Sequence, residues 1–108
     1  MQTGDIVLIP FPFSELTNIK VRPASVIAET KDKYRDLILA AVSSQIPVKT
    51  SSAEIIIQPD SLNDLRVTSV IKVDRIFTLK AKNIITRLGK LNASQIANLK
   101  FVFTSLVN

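Results

Sequence analysis

The chain of 108 residues contains no cysteine and no histidine. Without cysteine it forms no disulfide, which is compatible with a reducing compartment. Without either residue a zinc site is not expected, because protein zinc sites depend mainly on cysteine and histidine ligands. The absence of histidine also removes the side chain that most often exchanges protons near neutral pH. Any chemistry must therefore come from Arg, Lys, Ser, Thr, Tyr, Asp or Glu side chains.

Glycine is almost absent as well, and only Gly4 and Gly89 occur. The phosphate-binding loops of nucleotide-binding proteins need several glycines, because the backbone must approach the phosphates closely. The chain has no such loop, and none of its segments resembles a calcium-binding loop. No metal ion or organic cofactor is therefore predicted.

Long apolar runs are also missing. No stretch reaches about 18 consecutive apolar residues, so no membrane-spanning helix is expected. The first residues, MQTGDIVLIP, lack a basic segment followed by a long apolar one, so a secretory signal is not expected either. We therefore expect a cytoplasmic protein that folds as a single domain over residues 1–108.

Acidic residues are scarce in the second half of the chain. The net charge of the whole chain is +5, and residues 66–100 hold eight of the basic residues but a single acid, Asp74. A basic half of this kind is typical of a protein that binds a polyanion, such as nucleic acid or an acidic peptide. The alternative is a solvated face that only keeps the protein soluble, and charge alone does not decide between the two.

Short apolar runs bounded by turn-forming residues predict several strands. The expected strands lie at 5–11, 24–29, 37–44, 53–59 and 68–79 (as one or two strands), and a further short strand within segment 83–91 is expected to stop at Gly89. Several short strands followed by one helix indicate a mainly β (α+β) fold, with a small, strongly curved sheet or barrel.

The end of the chain changes to a helical period. Its apolar residues recur at spacings of three and four, which predicts a helix from about residue 93 to about 106. Asn92 followed by Gln95 matches a capping box at the start of this helix. The apolar stripe is expected to cover one face of the sheet, and it consists of Ile96, Leu99, Phe103 and Leu106.

Several segments, taken in order, resemble the MazF/PemK family of toxin endoribonucleases. They are GDIVLIPFPF, RPASVIAE, LAAVSSQ and VIKVDRIFTLKAKNI, followed by the C-terminal helix. The resemblance spans nearly the whole chain and implies an SH3-like barrel of about five to seven strands that forms a homodimer. It also implies metal-independent cleavage of single-stranded RNA at short sequences, which leaves a 2′,3′-cyclic phosphate or 3′-phosphate and a 5′-hydroxyl. The expected partner is an antitoxin with an acidic segment.

The resemblance also implies the site residues. The arginine of the family's Arg-Pro pair corresponds to Arg22, and a strand-end threonine of the family corresponds to Ser43, which keeps the hydroxyl group. A basic residue and an aspartate two positions apart, used by some members, correspond to Lys72 and Asp74. The loop before Arg22 contains glycine in many relatives but none here.

These residue types suit RNA cleavage by the 2′-hydroxyl. The planar guanidinium of Arg22 can hold two phosphate oxygens and stays charged at any working pH. Ser43 can hydrogen-bond the phosphate or the 2′-hydroxyl, and Asp74 is the side chain best suited to accept the 2′ proton. The family also gives acid–base roles to the arginine, so the identity of the base stays open. Further RNA contacts are expected from Lys20, Ser44, Gln45, Lys72, Arg75 and Lys80.

Each of these residues also has a structural explanation. Arg22 can be a surface cation at a strand start, Ser43 an ordinary strand-end hydroxyl, and Lys72 with Asp74 a surface contact worth about 0–1 kcal/mol. Phe11 and Phe13 can stack on bases, as aromatic residues do in single-strand binders, or they can belong to the core.

Two other functions stay open at this point. The same barrel occurs in CcdB-like toxins, which block DNA gyrase through the end of the C-terminal helix and cut nothing. The basic half could also serve a non-catalytic nucleic-acid binder, whose binding would depend strongly on salt.

Overall fold

The structure is a computed structural model, and it describes residues 1–10 and 20–108. Within these residues the chain forms six strands, one α-helix and one 3₁₀ turn at Ala81–Asn83. The elements are β1 (Asp5–Pro10), β2 (Val21–Glu29), β3 (Leu37–Ser43), β4 (Glu54–Ile57), β5 (Ser69–Leu79), β6 (Thr86–Lys90) and α1 (Ala93–Ser105). The predicted mainly β fold with a C-terminal helix is confirmed.

The strands form one antiparallel sheet in the order β4-β5-β3-β2-β1-β6. The first three strands follow one another as neighbours, β5 joins the free edge of β3, and β6 returns to the free edge of β1. The sheet curls into a half-barrel, which matches the small barrel expected from the sequence. No helix in the described part of the chain is long and apolar enough to cross a membrane.

The sheet buries apolar side chains on both of its faces, because β1 to β3 are apolar at consecutive positions. Ile6 joins the core beneath α1, together with Ile71 and Leu99. Its neighbour Val7 points to the opposite face. There it belongs to a second core with five further buried residues, namely Ile9, Ala24, Val26, Leu37 and Leu39.

The second strand begins earlier than the sequence indicated. It starts at Val21 instead of residue 24, and it therefore includes Arg22 and Pro23. The pairing with β1 already covers this start, whereas the pairing with β3 begins only at Ala24. Proline is tolerated here because the strand has a single paired neighbour at this level.

The fifth strand contains a bulge of three residues. Ala40 of β3 pairs with Ile76, but the next residue, Ala41, pairs with Lys72. Three residues of β5, at positions 73–75, therefore lie between two consecutive residues of β3. The N–H of Val73 donates instead to the carbonyl of Ala53, at 2.9 Å. Bulges bend a strand and redirect its side chains, so residues 68–79 form one bent strand.

The last strand does not stop at Gly89, as the sequence indicated, but continues to Lys90. Gly89 lies inside the strand and pairs with Ile6 of β1. One residue earlier in β1, the buried Asp5 carboxylate accepts a bond from the Gln2 N–H (2.8 Å) and forms an ion pair with Arg87 (3.2 Å). These contacts tie the start of the chain to the edge strand.

The C-terminal helix has the predicted cap. The Asn92 side chain accepts from the Gln95 N–H at 2.8 Å, and the Gln95 side chain accepts from the Asn92 N–H at 2.9 Å. The predicted apolar stripe is wrong in its second half, because Phe103 and Leu106 are exposed. The helix buries only Leu99 and Val102, which pack in the core that contains Ile6 and Ile71.

Candidate functional site

The register of the sheet brings Arg22 and Ser43 to the same level on adjacent strands. In the antiparallel pairing of β2 with β3, Ala24 pairs with Ala41. The same register, continued by two residues, places position 22 opposite position 43. Directly opposed residues on antiparallel strands point to the same face, with Cβ atoms about 5 Å apart. Arg22 is exposed and Ser43 is half-buried. Positions 22 and 43 therefore lie level with each other on one face, at the rim of the sheet.

A cleft of about 970 Å³ opens at this rim. Arg22, Ser43 and Asp74 all line it, and so do four of the residues expected to contact RNA: Ser44, Gln45, Lys72 and Arg75. Lys72 reaches the cleft because it pairs with Ala41, one level below Ser43. Asp74 and Arg75 reach it from the bulge of β5. The fold thus gathers residues from distant parts of the chain into one cavity.

Ser43 and Asp74, two polar residues of the cleft, make few hydrogen bonds or ion pairs with the rest of the described residues. The Ser43 hydroxyl oxygen accepts from the Gln45 N–H at 3.0 Å, which leaves the hydroxyl hydrogen available to a ligand. In the described part of the chain the Asp74 carboxylate has no ion pair within 4.0 Å, and it accepts no hydrogen bond. The expected contact between Lys72 and Asp74 is therefore not formed. The bulge after Lys72 breaks the alternation that would have placed both side chains on one face.

Two of the expected RNA contacts lie elsewhere. Lys20 precedes β2 and Lys80 follows β5, and neither lines the cleft. The aromatic contacts expected from Phe11 and Phe13, and most of the loop before Arg22, lie outside the described residues.

One wall of the cleft comes from the β4–β5 loop, which the sequence reasoning did not assign to the site. Asp64, Leu65, Arg66 and Val67 all line the cavity. Leu8, Phe77 and Leu88 add apolar surface to the same cavity. The turn formers of segment 60–64 were visible in the sequence, but nothing local showed that this turn would pack beside Arg22.

The buried side chain of Asn63 organises this loop. Its Oδ1 accepts from the N–H groups of Asp60 (3.1 Å) and Leu65 (3.0 Å), and its Nδ2 donates to the carbonyl of Gln58 (2.9 Å). The Asp60 carboxylate in turn accepts from the N–H groups of Leu62 and Asn63, at 2.9 and 2.8 Å. The hydrogen bonds of the buried Asn63 side chain hold the loop backbone in one conformation.

The β4–β5 loop also packs against β6. The N–H of Lys90 donates to the Leu62 carbonyl at 3.0 Å. Gly89 permits this approach, because a Cβ atom there would overlap the Leu62 carbonyl oxygen and lie 2.8 Å from the Asn63 carbonyl carbon. Directly after Asn63, Asp64 adopts a left-handed backbone conformation, with φ of 56°. The loop residues of the cleft are therefore held by contacts outside it.

The half-barrel fold of this chain is also the fold of MazF toxins of known structure. A family model described as "PemK-like, MazF-like toxin of type II toxin-antitoxin system" matches residues 2–106. The chain belongs to this family and is a toxin of a type II toxin–antitoxin system. The family resemblance inferred from the sequence is confirmed. No match was found among curated protein sequences.

Solved structures with the same fold cover nearly all of the chain. An endoribonuclease in complex with its cognate antitoxin from a mycobacterial species is 12% identical, with a TM-score of 0.76 over 99% of this chain and 94% of that one. MazF from Deinococcus radiodurans is 21% identical, with a TM-score of 0.71 over 99% and 96%. Mycobacterium tuberculosis toxin MazF-mt6 is 17% identical, with a TM-score of 0.70 over 95% of each chain. At these identities the likeness shows the fold.

Proposed function

We propose that this toxin is an endoribonuclease that cuts single-stranded RNA, including mRNA, at short sequences without a metal ion. The observation that carries the proposal is the convergence of Arg22, Ser43 and Asp74 on one open cleft. A guanidinium, a hydroxyl and a carboxylate are the groups that phosphodiester cleavage by an RNA 2′-hydroxyl needs. Within the described residues no group of three or more carboxylates comes together as metal ligands would.

Substrate binding is assigned to the cations of the cleft. The Arg22 guanidinium grips two oxygens of the scissile phosphate, and the Pro23 ring limits the motion of the backbone beside it. Arg66, Lys72 and Arg75 line the same cavity and neutralise flanking phosphates. The apolar surface of the cleft accommodates the unstacked bases, as in other single-strand binders.

Cleavage proceeds by transfer of the phosphate within the RNA. The 2′-oxygen forms a bond to phosphorus as the bond to the 5′-oxygen breaks, and the Asp74 carboxylate takes the 2′ proton. Arg22 and the Ser43 hydroxyl donate to the phosphoryl oxygens, where negative charge builds up in the transition state. The departing 5′-oxygen takes a proton from water. The products are a 2′,3′-cyclic phosphate, which water can open to a 3′-phosphate, and a 5′-hydroxyl.

The test is one incubation of the purified chain with defined single-stranded RNAs in EDTA. Cut positions are read by sequencing, and end chemistry is read by labelling of free 5′-hydroxyls with a kinase. We expect cleavage at a short preferred sequence, with 5′-hydroxyl ends. Varied RNAs left uncut would refute the enzymatic function. Salt-dependent binding without product would identify a non-catalytic binder, and a supercoiling assay on uncut samples would detect gyrase inhibition.

We further propose that an antitoxin restrains the toxin through an acidic segment laid over the cleft. One similar structure is an endoribonuclease in complex with its cognate antitoxin. The cleft here presents four cations, namely Arg22, Arg66, Lys72 and Arg75. A disordered acidic segment would find complementary charge there and would cover Arg22.

The expected result is that a cognate acidic peptide abolishes cleavage. Its inhibition constant should rise steeply with salt, because exposed charge pairs are screened. A peptide of the same composition with its acids replaced by amides is the control. Full cleavage at saturating peptide, or inhibition that does not depend on the acids, would contradict the proposed mode of restraint.

A homodimer is also proposed, with the end of α1 as the contact. The apolar residues of β3 are not available, since Leu39, Ala40 and Val42 are buried. The end of the helix instead exposes large apolar side chains, led by Val107 (86% exposed) and Phe101 (71%). Exposed apolar groups gathered at one place are typical of association surfaces.

We expect a dimer by sedimentation velocity at micromolar concentration. Phe101→Glu should shift the protein toward monomer, because a charge would be buried at the contact. Lys100→Glu, at an exposed position about 100° around the same helix from Phe101, should leave the mass unchanged. A monomeric wild-type chain, or equal behaviour of the two variants, would reject this surface.

A further inference from the structure

The β4–β5 loop brings a carboxylate into a cleft that is otherwise dominated by cations. Asp64 lines the cavity and is exposed. Within the described residues its carboxylate accepts no hydrogen bond and has no ion pair within 4.0 Å. A carboxylate in a cleft that binds a polyanion weakens phosphate binding, since like charges repel. Affinity for phosphate therefore does not explain why Asp64 lies in the cleft.

The backbone of Asp64 shows that the loop, and not Asp64 itself, fixes its position. A φ of 56° lies in the left-handed region, which costs an ordinary residue about 1–2 kcal/mol and is most accessible to Gly, Asn and Asp. The preceding residue, Asn63, is fully buried and makes three hydrogen bonds to the loop backbone. The Leu62 carbonyl rests against Gly89 and accepts from the N–H of Lys90. Asp64 is thus presented on a rigid support.

A carboxylate that projects from a fixed backbone position discriminates among nucleobases. It accepts hydrogen bonds from the exocyclic amino groups of cytosine and adenine and from the N1–H and amino group of guanine. Uracil offers one N–H flanked by two carbonyl oxygens, and these oxygens are repelled by the negative charge. Sequence-specific recognition of single-stranded RNA uses the Watson–Crick edges of bases that are not stacked in a helix.

We propose that Asp64 is a specificity-determining residue, which selects a base with an amino group at one position beside the scissile phosphate and rejects uracil there. The proposal rests on the endoribonuclease function proposed above. Asp64 takes no part in the bond making or breaking. Arg66, two residues further along the same wall, supplies a cation for the phosphate next to that base. In this loop, Asp64 therefore recognises the base and Arg66 binds the RNA backbone.

The test uses a pool of single-stranded RNAs randomised around a cleaved sequence, incubated with the full chain and sequenced at its new 5′-hydroxyl ends. The key variant is Asp64→Asn, because asparagine tolerates the left-handed backbone and its amide can both donate and accept. Asp64→Gly keeps the backbone free of strain and removes the side chain altogether. Glu29→Gln is the control, since Glu29 lies outside the cleft and pairs with Arg35 at 3.9 Å.

We expect the unaltered chain to disfavour uracil about 10-fold at one position next to the cut. Asp64→Asn and Asp64→Gly should reduce this preference to about 2-fold at that position and leave the other positions unchanged. The control should reproduce the unaltered profile, and thermal melting should show all variants folded. An unchanged profile in both Asp64 variants, with cleavage intact, would overturn this inference alone. Failure of the unaltered chain to cut any RNA would overturn the proposed function and this inference with it.

Discussion

Replacement of Arg22 by alanine should reduce RNA cleavage by at least about 10³-fold while the fold stays intact. The side chain is exposed, and its removal empties no core position, so the free energy of unfolding should change by less than about 0.5 kcal/mol. The loss of activity has a separate cause. The guanidinium is a charged donor at the same sheet level as Ser43, and losing an oriented donor to a transition-state oxyanion typically costs about 10²–10³-fold. Losing a full charge with it adds to that cost.

The measurement is single-turnover cleavage of a defined RNA in EDTA, with circular dichroism to confirm folding. Lys100→Ala, which removes an exposed cation of α1 outside the cleft, should cut at the normal rate. Arg22→Lys should retain partial activity, because lysine supplies the charge without the planar fork. Arg22→Ala that cuts within about 10-fold of wild type would show that Arg22 is only a surface cation.

Replacement of Gly89 by alanine should destabilise the protein by about 3 kcal/mol and displace the β4–β5 loop. The added Cβ would overlap the Leu62 carbonyl oxygen, which belongs to the backbone and cannot turn aside as a side chain would. The loop cannot shift without loss either, because Asn63 and the N–H of Lys90 both hold it. Either β6 or the loop must move, and hydrogen bonds between them break.

Urea denaturation monitored by circular dichroism would measure this cost. Thr86→Ala, at an exposed position of the same edge strand, is the matched control and should change the unfolding free energy by less than about 0.5 kcal/mol. Any Gly89→Ala protein that still folds should also bind RNA less tightly, since the Arg66 cation leaves its place in the cleft. An unfolding midpoint equal to that of the control would show that the loop does not rest on β6.

The sequence carried the information for the local elements and for part of the site. Apolar runs and turn formers placed β1 and β3 within one residue of their ends, and the Asn92–Gln95 pair marked the start of α1. Arg22 and Ser43 were found through the family resemblance. Their shared place in the cleft follows from antiparallel pairing of two strands that neighbour each other in the chain, which is the simplest connection in a sheet.

The features that were missed depend on contacts between distant segments. The bulge at Val73–Arg75 depends on the pairing of β5 with both β3 and β4. The alternation of a regular strand therefore wrongly predicts that the Lys72 and Asp74 side chains share a face. Because glycine weakens strands, the sequence predicts a strand end at Gly89. Its actual role is to make room for a loop some 25 residues earlier in the chain. No local pattern could have shown that this loop completes the cleft.

The placement of Arg22 and Ser43 on paired strands has a consequence for how such toxins diversify. Their relative position follows from the antiparallel register of β2 and β3, whose pairing begins at Ala24 and Ala41, whereas Asp64 and Arg66 lie on a connection that is anchored separately. We therefore expect new target preferences to arise by exchange of the β4–β5 connection, with the catalytic geometry carried over unchanged. In such a lineage, the RNA sequence that is preferred and the mechanism of cleavage can evolve independently.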